Sequence, residues 1–260
     1  MNPCAGKPII AFRPIQMLAA PGCSAPIAME DQTVHVWGFS LEGSRSFVGQ
    51  CRSWLSEDER RQADRFICQE DQRRYVLAHG GLRAVLGRYI GLDPSAVMFQ
   101  LGPTGKPALL TGHAPQFPVR FNLSHSHGRM LIAIAGERDI GVDLEQIQDR
   151  AEAAKLAKRF YAPDEYERVV ARSGSEQTQW FFHYWVAKEA ALKGQGIGLR
   201  SLQQCEILQS VDSPRAEVMI LRGASMQPGW TIHWLDCGTG WAGAVSAHGA
   251  NWNVRSMTND

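Results

Sequence analysis

Trp180-Phe-Phe-His-Tyr-Trp-Val-Ala-Lys-Glu-Ala-Ala-Leu-Lys193 reads as a helix. The run contains neither Pro nor Gly, is rich in Ala, Lys, Glu and Leu, and stops at Gly194. Trp185, Glu189 and Lys193 are spaced i, i+4, i+8, so they share one face. Phe181, Tyr184, Lys188 and Leu192 make an adjoining stripe. One Glu and two Lys therefore sit beside aromatic positions that should be buried. Alone, the pattern also fits an ordinary surface Glu–Lys pair, worth roughly 0.2–0.5 kcal/mol.

About forty residues upstream, Ile140-Gly-Val-Asp-Leu-Glu145 alternates apolar and other residues with the period of a strand. Asp143 and Glu145 point the same way, their Cα atoms roughly 7 Å apart. Two adjacent carboxylates repel, and a cation relieves the repulsion. An oxygen-only ligand set suits Mg²⁺ or Mn²⁺ rather than Zn²⁺. A solvated outer face of an edge strand gives the same pattern.

The chain has 260 residues, 44% of them hydrophobic, enough for a sizeable core. A net charge of +1 provides no strongly basic field, which argues against nucleic acid as the main partner. The six Cys form no C-x-x-C, which fits a reducing cytoplasm. No apolar run approaches the roughly 18 residues a membrane span needs. Residues 1–33 lack a signal peptide's pattern and read as a poorly ordered extension, and 251–260 as a tail.

Val34-His-Val-Trp-Gly-Phe-Ser-Leu41 is a strand candidate, Ser56 caps a helix with acids in its first turn, and a longer helix spans about Gln69 to Arg88. Ile90-Gly-Leu-Asp-Pro is a break, and Val97 to Leu101 a short strand. Some of these signals recur 107 residues later: Ile90-Gly-Leu92 as Ile197-Gly-Leu199, Ser56-Glu-Asp as Pro163-Asp-Glu, and the strand from Val34 as that from Gly141. A shared offset predicts duplicated halves, residues 34–137 and 138–250. It sets Asp143 opposite Val36, Glu189 opposite Leu82 and Lys193 opposite Leu86, so only the second half carries the acids, and one active site is expected where the halves meet.

Gly141-Val-Asp143-Leu-Glu145 followed by Trp185-Val-Ala-Lys188-Glu189-Ala-Ala-Leu-Lys193, with Phe160-Tyr-Ala-Pro-Asp-Glu between, resembles the signature of the surfactin-type 4′-phosphopantetheinyl transferases. The resemblance runs from about Val34 to His248. It implies an α+β fold of two similar α/β halves related by pseudo-twofold symmetry, each a small, mostly antiparallel sheet with helices packed on it. It implies a cytoplasmic monomer that moves the 4′-phosphopantetheine arm of coenzyme A onto a serine of an acidic acyl or peptidyl carrier protein. Adenosine 3′,5′-bisphosphate leaves; no nucleic acid or membrane is involved. Asp143, Glu145 and Glu189 are then the Mg²⁺ ligands (Mn²⁺ possible in its place). Glu189 is also the base, Lys193 stabilises developing charge, and Lys188 assists or buttresses.

By the same resemblance, Lys106 and Pro107 of Thr104-Gly-Lys-Pro107, Ser124 and His125 of Asn122-Leu-Ser-His-Ser126, and Arg74 contact coenzyme A. Where the family often has basic residues for the 3′-phosphate, this chain has Glu59 and Gln62, with Arg60, Arg61 or Arg65 as substitutes. Arg150 to Phe160 is the carrier-docking candidate: Lys155 and Arg159 form a basic stripe beside Leu156 and Phe160. A metal-dependent phosphohydrolase or nuclease using the same carboxylates and an inactive coenzyme A-binding protein are the other classes the residues admit.

Overall fold

The computed structural model describes residues 6–18, 26–102, 105–110, 118–149, 152–209, 211–220 and 229–258. Thr104 of the expected turn and Arg150 and Ala151 of the expected docking segment lie outside them. In chain order the elements are β1 (Phe12–Pro14), β2 (Thr33–Ser40), α1 (Arg45–Trp54), α2 (Glu57–Ala63), α3 (Gln69–Ile90), β3 (Phe99–Leu101), β4 (Pro107–Leu109), β5 (Arg120–Ser126), β6 (Arg129–Ala135) and β7 (Ile140–Gln146). There follow α4 (Ala153–Phe160), α5 (Pro163–Val170), α6 (Gly174–Gln195), β8 (Cys205–Ile207), β9 (Arg215–Ile220), β10 (Trp230–Leu235), β11 (Trp241–His248) and β12 (Asn253–Met257).

Strand alternation explains the layering. One sheet runs β1-β2-β6-β5 and the other β7-β11-β10-β9-β8. On the first, Trp37, Phe39, Met130, Ile132 and Ile134 point into a core shared with α1 and α3. Their neighbours Val34, Val36, Leu131, Ala133 and Ala135 point the other way, where they meet Ile140, Val142, Leu144, Val245 and Ala247 of the second sheet. The outer face of that sheet packs Ile232, Trp234, Ala242 and Ala244 against α6. The order is helices, sheet, sheet, helices, and the α+β class with two related halves holds.

The halves repeat β2-α1-α2-α3 as β7-α4-α5-α6, and α3 and α6 are both 22 residues long. The offset needs correction. Each long helix ends on a left-handed glycine, Gly91 (φ 69°) and Gly196 (φ 68°), which are 105 apart (196 − 91). Gly198, matched to Gly91 by the 107 offset, instead precedes a 3₁₀ turn. On β2 the α3-facing residues include Trp37, whereas Val36 faces the other sheet. The α6-facing Asp143 therefore corresponds to Trp37, since a slip of one residue flips a strand's faces. Arg88, 105 residues before Lys193, lies over the Trp37 ring, 5.2 Å from its centroid. Both halves keep a cation at this level of the helix; only the second provides a carboxylate beneath it.

Described parts of the expected poorly ordered extension (1–33) and tail (251–260) are paired strands. Phe12–Pro14 pairs parallel with Gly38–Ser40, Ile15 is fully buried, and Ile10 N–H donates to Asp236 O in the second half. Asn253–Met257 pairs parallel with Thr33–Trp37, so the C-terminal segment returns to the first sheet. Short apolar stretches at both ends find the same open edge of β2.

Candidate active site

The site lies where β5 and β7 run side by side, with α6 across β7. Gly141 permits the close approach of the helix: a Cβ there would lie 2.0 Å from Ala190 O and 2.3 Å from Gly194 N. Asp143 and Glu145 therefore face α6, as expected from their spacing. Asp143 is 1% exposed. Lys193 Nζ reaches Asp143 Oδ1 at 2.5 Å and Glu189 Oε2 at 3.8 Å. Trp185, Glu189 and Lys193 form the expected column, although α6 continues past Gly194 to Gln195. Phe160 packs edge-on against Trp185, with ring centroids 5.9 Å apart.

The first half contributes hydroxyls. Ser124 Oγ donates to Asp143 Oδ1 (2.8 Å) and accepts from Lys193 Nζ (3.1 Å). Ser126 Oγ donates to Glu145 Oε2 (2.8 Å), and Val142 N–H donates to Asn122 Oδ1 (2.8 Å). Asn122, Ser124 and Ser126 thus stitch β5 to β7 through side chains rather than a backbone ladder. Asn122 and Ser126 were missed as site residues, although their period-2 polar alternation was a readable signal.

Three acids share one nearby ammonium. Burial, then Asp143 and Glu145, raise the Glu189 pKa to about 7 against the opposing pull of Lys193. Burial and the neighbouring Asp143 raise that of Glu145. Burial would lower Lys193, but Asp143 and Glu189 outweigh it and hold the ammonium charged. Among the described residues no group of three His, Cys, Asp or Glu side chains is drawn close enough to enclose an ion. The donor chemistry nevertheless fits one: Asp143 Oδ2 is buried without a hydrogen-bond partner, and the negative charge is in excess.

The remaining expected residues divide. Lys188 is not at the cluster. It is fully buried, 2.5 Å from Glu165 Oε2, and also donates to Cys205 O, so it ties α6 to α5 and β8. Lys106 and Pro107 line a pocket with Arg120, Asp139 and Gly194. Lys106 Nζ there donates to Ile140 O (2.8 Å) and Gly194 O (2.6 Å), and burial lowers its pKa to about 8. His125 has an exposed side chain, yet desolvation and the charges of His79 and Lys193 lower its pKa to about 4. Arg74 pairs along its own helix with Glu70 (3.2 Å) and Asp71 (3.7 Å).

Glu59 is internal to the first half. Its carboxylate caps α2 through Ser56 N–H and pairs with the buried Arg83 at 2.7 Å. Burial opposes ionisation there, but bonds from His79, Ser56 and Arg83 prevail and lower the pKa to about 2. Of the substitutes, Arg61 is engaged by Glu57 and Asp58, Arg60 by Leu55 O and Arg65 by Gln62.

A family model described as the 4′-phosphopantetheinyl transferase superfamily matches residues 139–244, and one described as 4′-phosphopantetheinyl transferase, N-terminal, matches residues 43–139. The 4′-phosphopantetheinyl transferase HetI of a Nostoc species is 34% identical over 224 residues, 85% of this chain and 90% of its own length. The 4′-phosphopantetheinyl transferase Sfp of Bacillus subtilis is 35% identical over 148 residues, 56% of this chain and 62% of its own. AcpT of Escherichia coli is 32% identical over 114 residues, 44% of this chain and 55% of its own. With an acid–ammonium cluster set where two related halves meet, the chain belongs to the 4′-phosphopantetheinyl transferase family, enzymes that use coenzyme A to place phosphopantetheine on carrier proteins.

Proposed function

We propose that this protein is a Mg²⁺-dependent transferase that attaches the 4′-phosphopantetheine arm of coenzyme A to a serine hydroxyl of an acidic carrier protein and releases adenosine 3′,5′-bisphosphate. The observation that carries this reading is the cluster of Asp143, Glu145, Glu189 and Lys193, three carboxylates and one ammonium gathered beside Ser124. Mg²⁺, held by Asp143, Glu145 and Glu189, supplies neutralisation of the pyrophosphate when bound.

The chain's own residues do the rest. Glu189, on the α6 face beside Asp143 and Lys193, takes the proton of the carrier serine. The serine oxygen bonds to the phosphorus bearing the pantetheine arm as the pyrophosphate bridge breaks. Lys193 holds an ammonium charge for the departing phosphate. Ser124, His125, Lys106, Pro107 and Arg74 position coenzyme A. The acceptor is external, so the protein needs no nucleophile of its own.

Apo carrier proteins incubated with coenzyme A and Mg²⁺ test the reading by intact mass. Addition of one phosphopantetheine, abolished by EDTA and restored by Mg²⁺, is expected. An unchanged carrier mass, or release of phosphate alone, would replace it with hydrolysis. One chain supplies both halves of the site, so we take the working form to be a monomer. Sedimentation at a mass near twice 28.8 kDa would overturn that.

A further inference from the structure

Ser126 sits in the first half, yet its side chain addresses the second. It is buried, and three groups surround its oxygen: Glu145 Oε2 at 2.8 Å, His127 Nδ1 at 3.1 Å and Gln146 N at 3.4 Å. A serine hydroxyl has one proton to give and two lone pairs to fill. Gln146 N–H can only donate, and fills one lone pair. An ionised Glu145 can only accept, so the serine proton goes to Oε2. His127 Nδ1 is left to fill the second lone pair, which puts the ring proton on Nδ1. Nε2 is then an acceptor, and Gln148 Nε2 lies 2.7 Å from it as its donor. The chain Gln148–His127–Ser126–Glu145 has a single consistent direction, ending on a carboxylate oxygen.

The backbone supports a purpose for this arrangement. His127 has φ 50°, in the left-handed region where a residue with a Cβ costs roughly 1–2 kcal/mol. It connects β5 to β6, where Gly would serve without that cost. Non-glycine residues held in such a conformation gather at functional sites because surrounding contacts over-determine them.

We propose that Ser126, with His127 behind it, is a positioning residue that aims the Glu145 carboxylate for the divalent cation, so that the first half sets the ligand geometry of the second. The proposal rests on the metal reading above. It differs from the arrangement at Ser124, whose partner Asp143 is also held by Lys193: among the described residues Glu145 forms no ion pair and takes its orientation from this hydroxyl.

The test is Mn²⁺ titration of the protein–coenzyme A complex, followed by the electron paramagnetic resonance of free Mn²⁺. Loss of a group that orients a ligand typically weakens metal affinity about 10–100-fold. Ser126→Ala should weaken Mn²⁺ binding by that factor while coenzyme A affinity stays within about threefold. Ser126→Thr, which keeps the hydroxyl, should restore most of it. In steady state, Ser126→Ala should raise the Mg²⁺ concentration for half-maximal rate and recover kcat at high Mg²⁺. His127→Gly should weaken the metal in the same direction without lowering Tm, a combination that a merely structural turn would not give. If wild type binds Mn²⁺ and Ser126→Ala binds it equally well, the positioning role alone fails. If the wild-type complex binds none, the metal reading fails and this proposal with it.

Discussion

Glu189 and Lys188 are neighbours in sequence and opposites in environment. Glu189 faces the acid cluster, with its pKa raised to about 7; Lys188 is buried against Glu165 on another side of the helix. The expected consequences differ. Glu189→Gln should lower kcat by about 10²–10⁴-fold, the usual cost of losing a general base, with little change in thermal midpoint. Lys188→Met should instead strand Glu165 without a counter-charge and cost about 3–5 kcal/mol of stability, read in urea unfolding. A Glu189→Gln enzyme of wild-type rate, or a Lys188→Met enzyme of wild-type stability, would reverse the assignment. The i, i+4 column of Trp185, Glu189 and Lys193 was legible because helix geometry fixes it locally. The role of Lys188 was not, because its partner is 23 residues away and only tertiary packing brings them together. The same holds for Ser126 and Glu145, 19 residues apart on different sheets.

Between elements, the deciding contact is the crossing of α6 over β7 at Gly141. A methyl group at that position would collide with backbone atoms of Ala190 and Gly194, which cannot rotate away. Gly141→Ala should therefore displace the helix, costing about 1–3 kcal/mol or more by overpacking. Because Glu189 and Lys193 ride on that helix, kcat should fall as well; urea unfolding and carrier loading together check this, and an alanine variant of normal stability and rate would contradict it. Helix α4 makes a second prediction. Ala153 and Ala157 face inward, Lys155 and Arg159 are exposed, and Phe160 touches Trp185 beside Glu189. A basic face next to the cluster suits an acidic carrier. Reversing Lys155 and Arg159 to Glu should raise the KM for carrier protein at low salt and leave that for coenzyme A nearly unchanged. Equal carrier KM values at low ionic strength would move the docking surface elsewhere. The amphipathic and capped elements were readable: Ser56 caps α2 through the bond its position promised. The register of the repeat was not. Identities such as Ile-Gly-Leu recur without occupying equivalent places, whereas glycine handedness and strand facing define the equivalence.

Across the whole molecule, the ends of the chain bind the halves together. Trp252, 1% exposed, lies in the core between the sheets just before β12 joins β2, and the His233 ring lies against it with centroids 4.3 Å apart. None of this was legible in the terminal composition, since a five-residue strand gains its stability from the edge it finds rather than from its own sequence. His233 Nε2 is buried without a hydrogen-bond partner, and desolvation, then Arg215, lowers its pKa to about 4. Desolvation and Lys7 lower that of His183 to about 3. Both are depressed in the folded state, so as pH falls below about 6.5 the unfolded chain takes up protons that the folded chain refuses. Stability is retained above that pH and lost on the way down towards each folded value. Each fully shifted imidazole contributes a slope of about 1.4 kcal/mol per pH unit. Glu189, raised to about 7, offsets one such slope between roughly pH 4.5 and 7, because there the folded state binds the extra proton. With His125 also depressed to about 4, the net expectation is a fall in stability between pH 6 and 4.5, measured by urea midpoints. His233→Phe keeps the ring against Trp252 and removes the titration, so its curve should be flatter by close to one proton. A variant with the wild-type slope would show that the seam at Trp252 is not where acid first loosens the two halves.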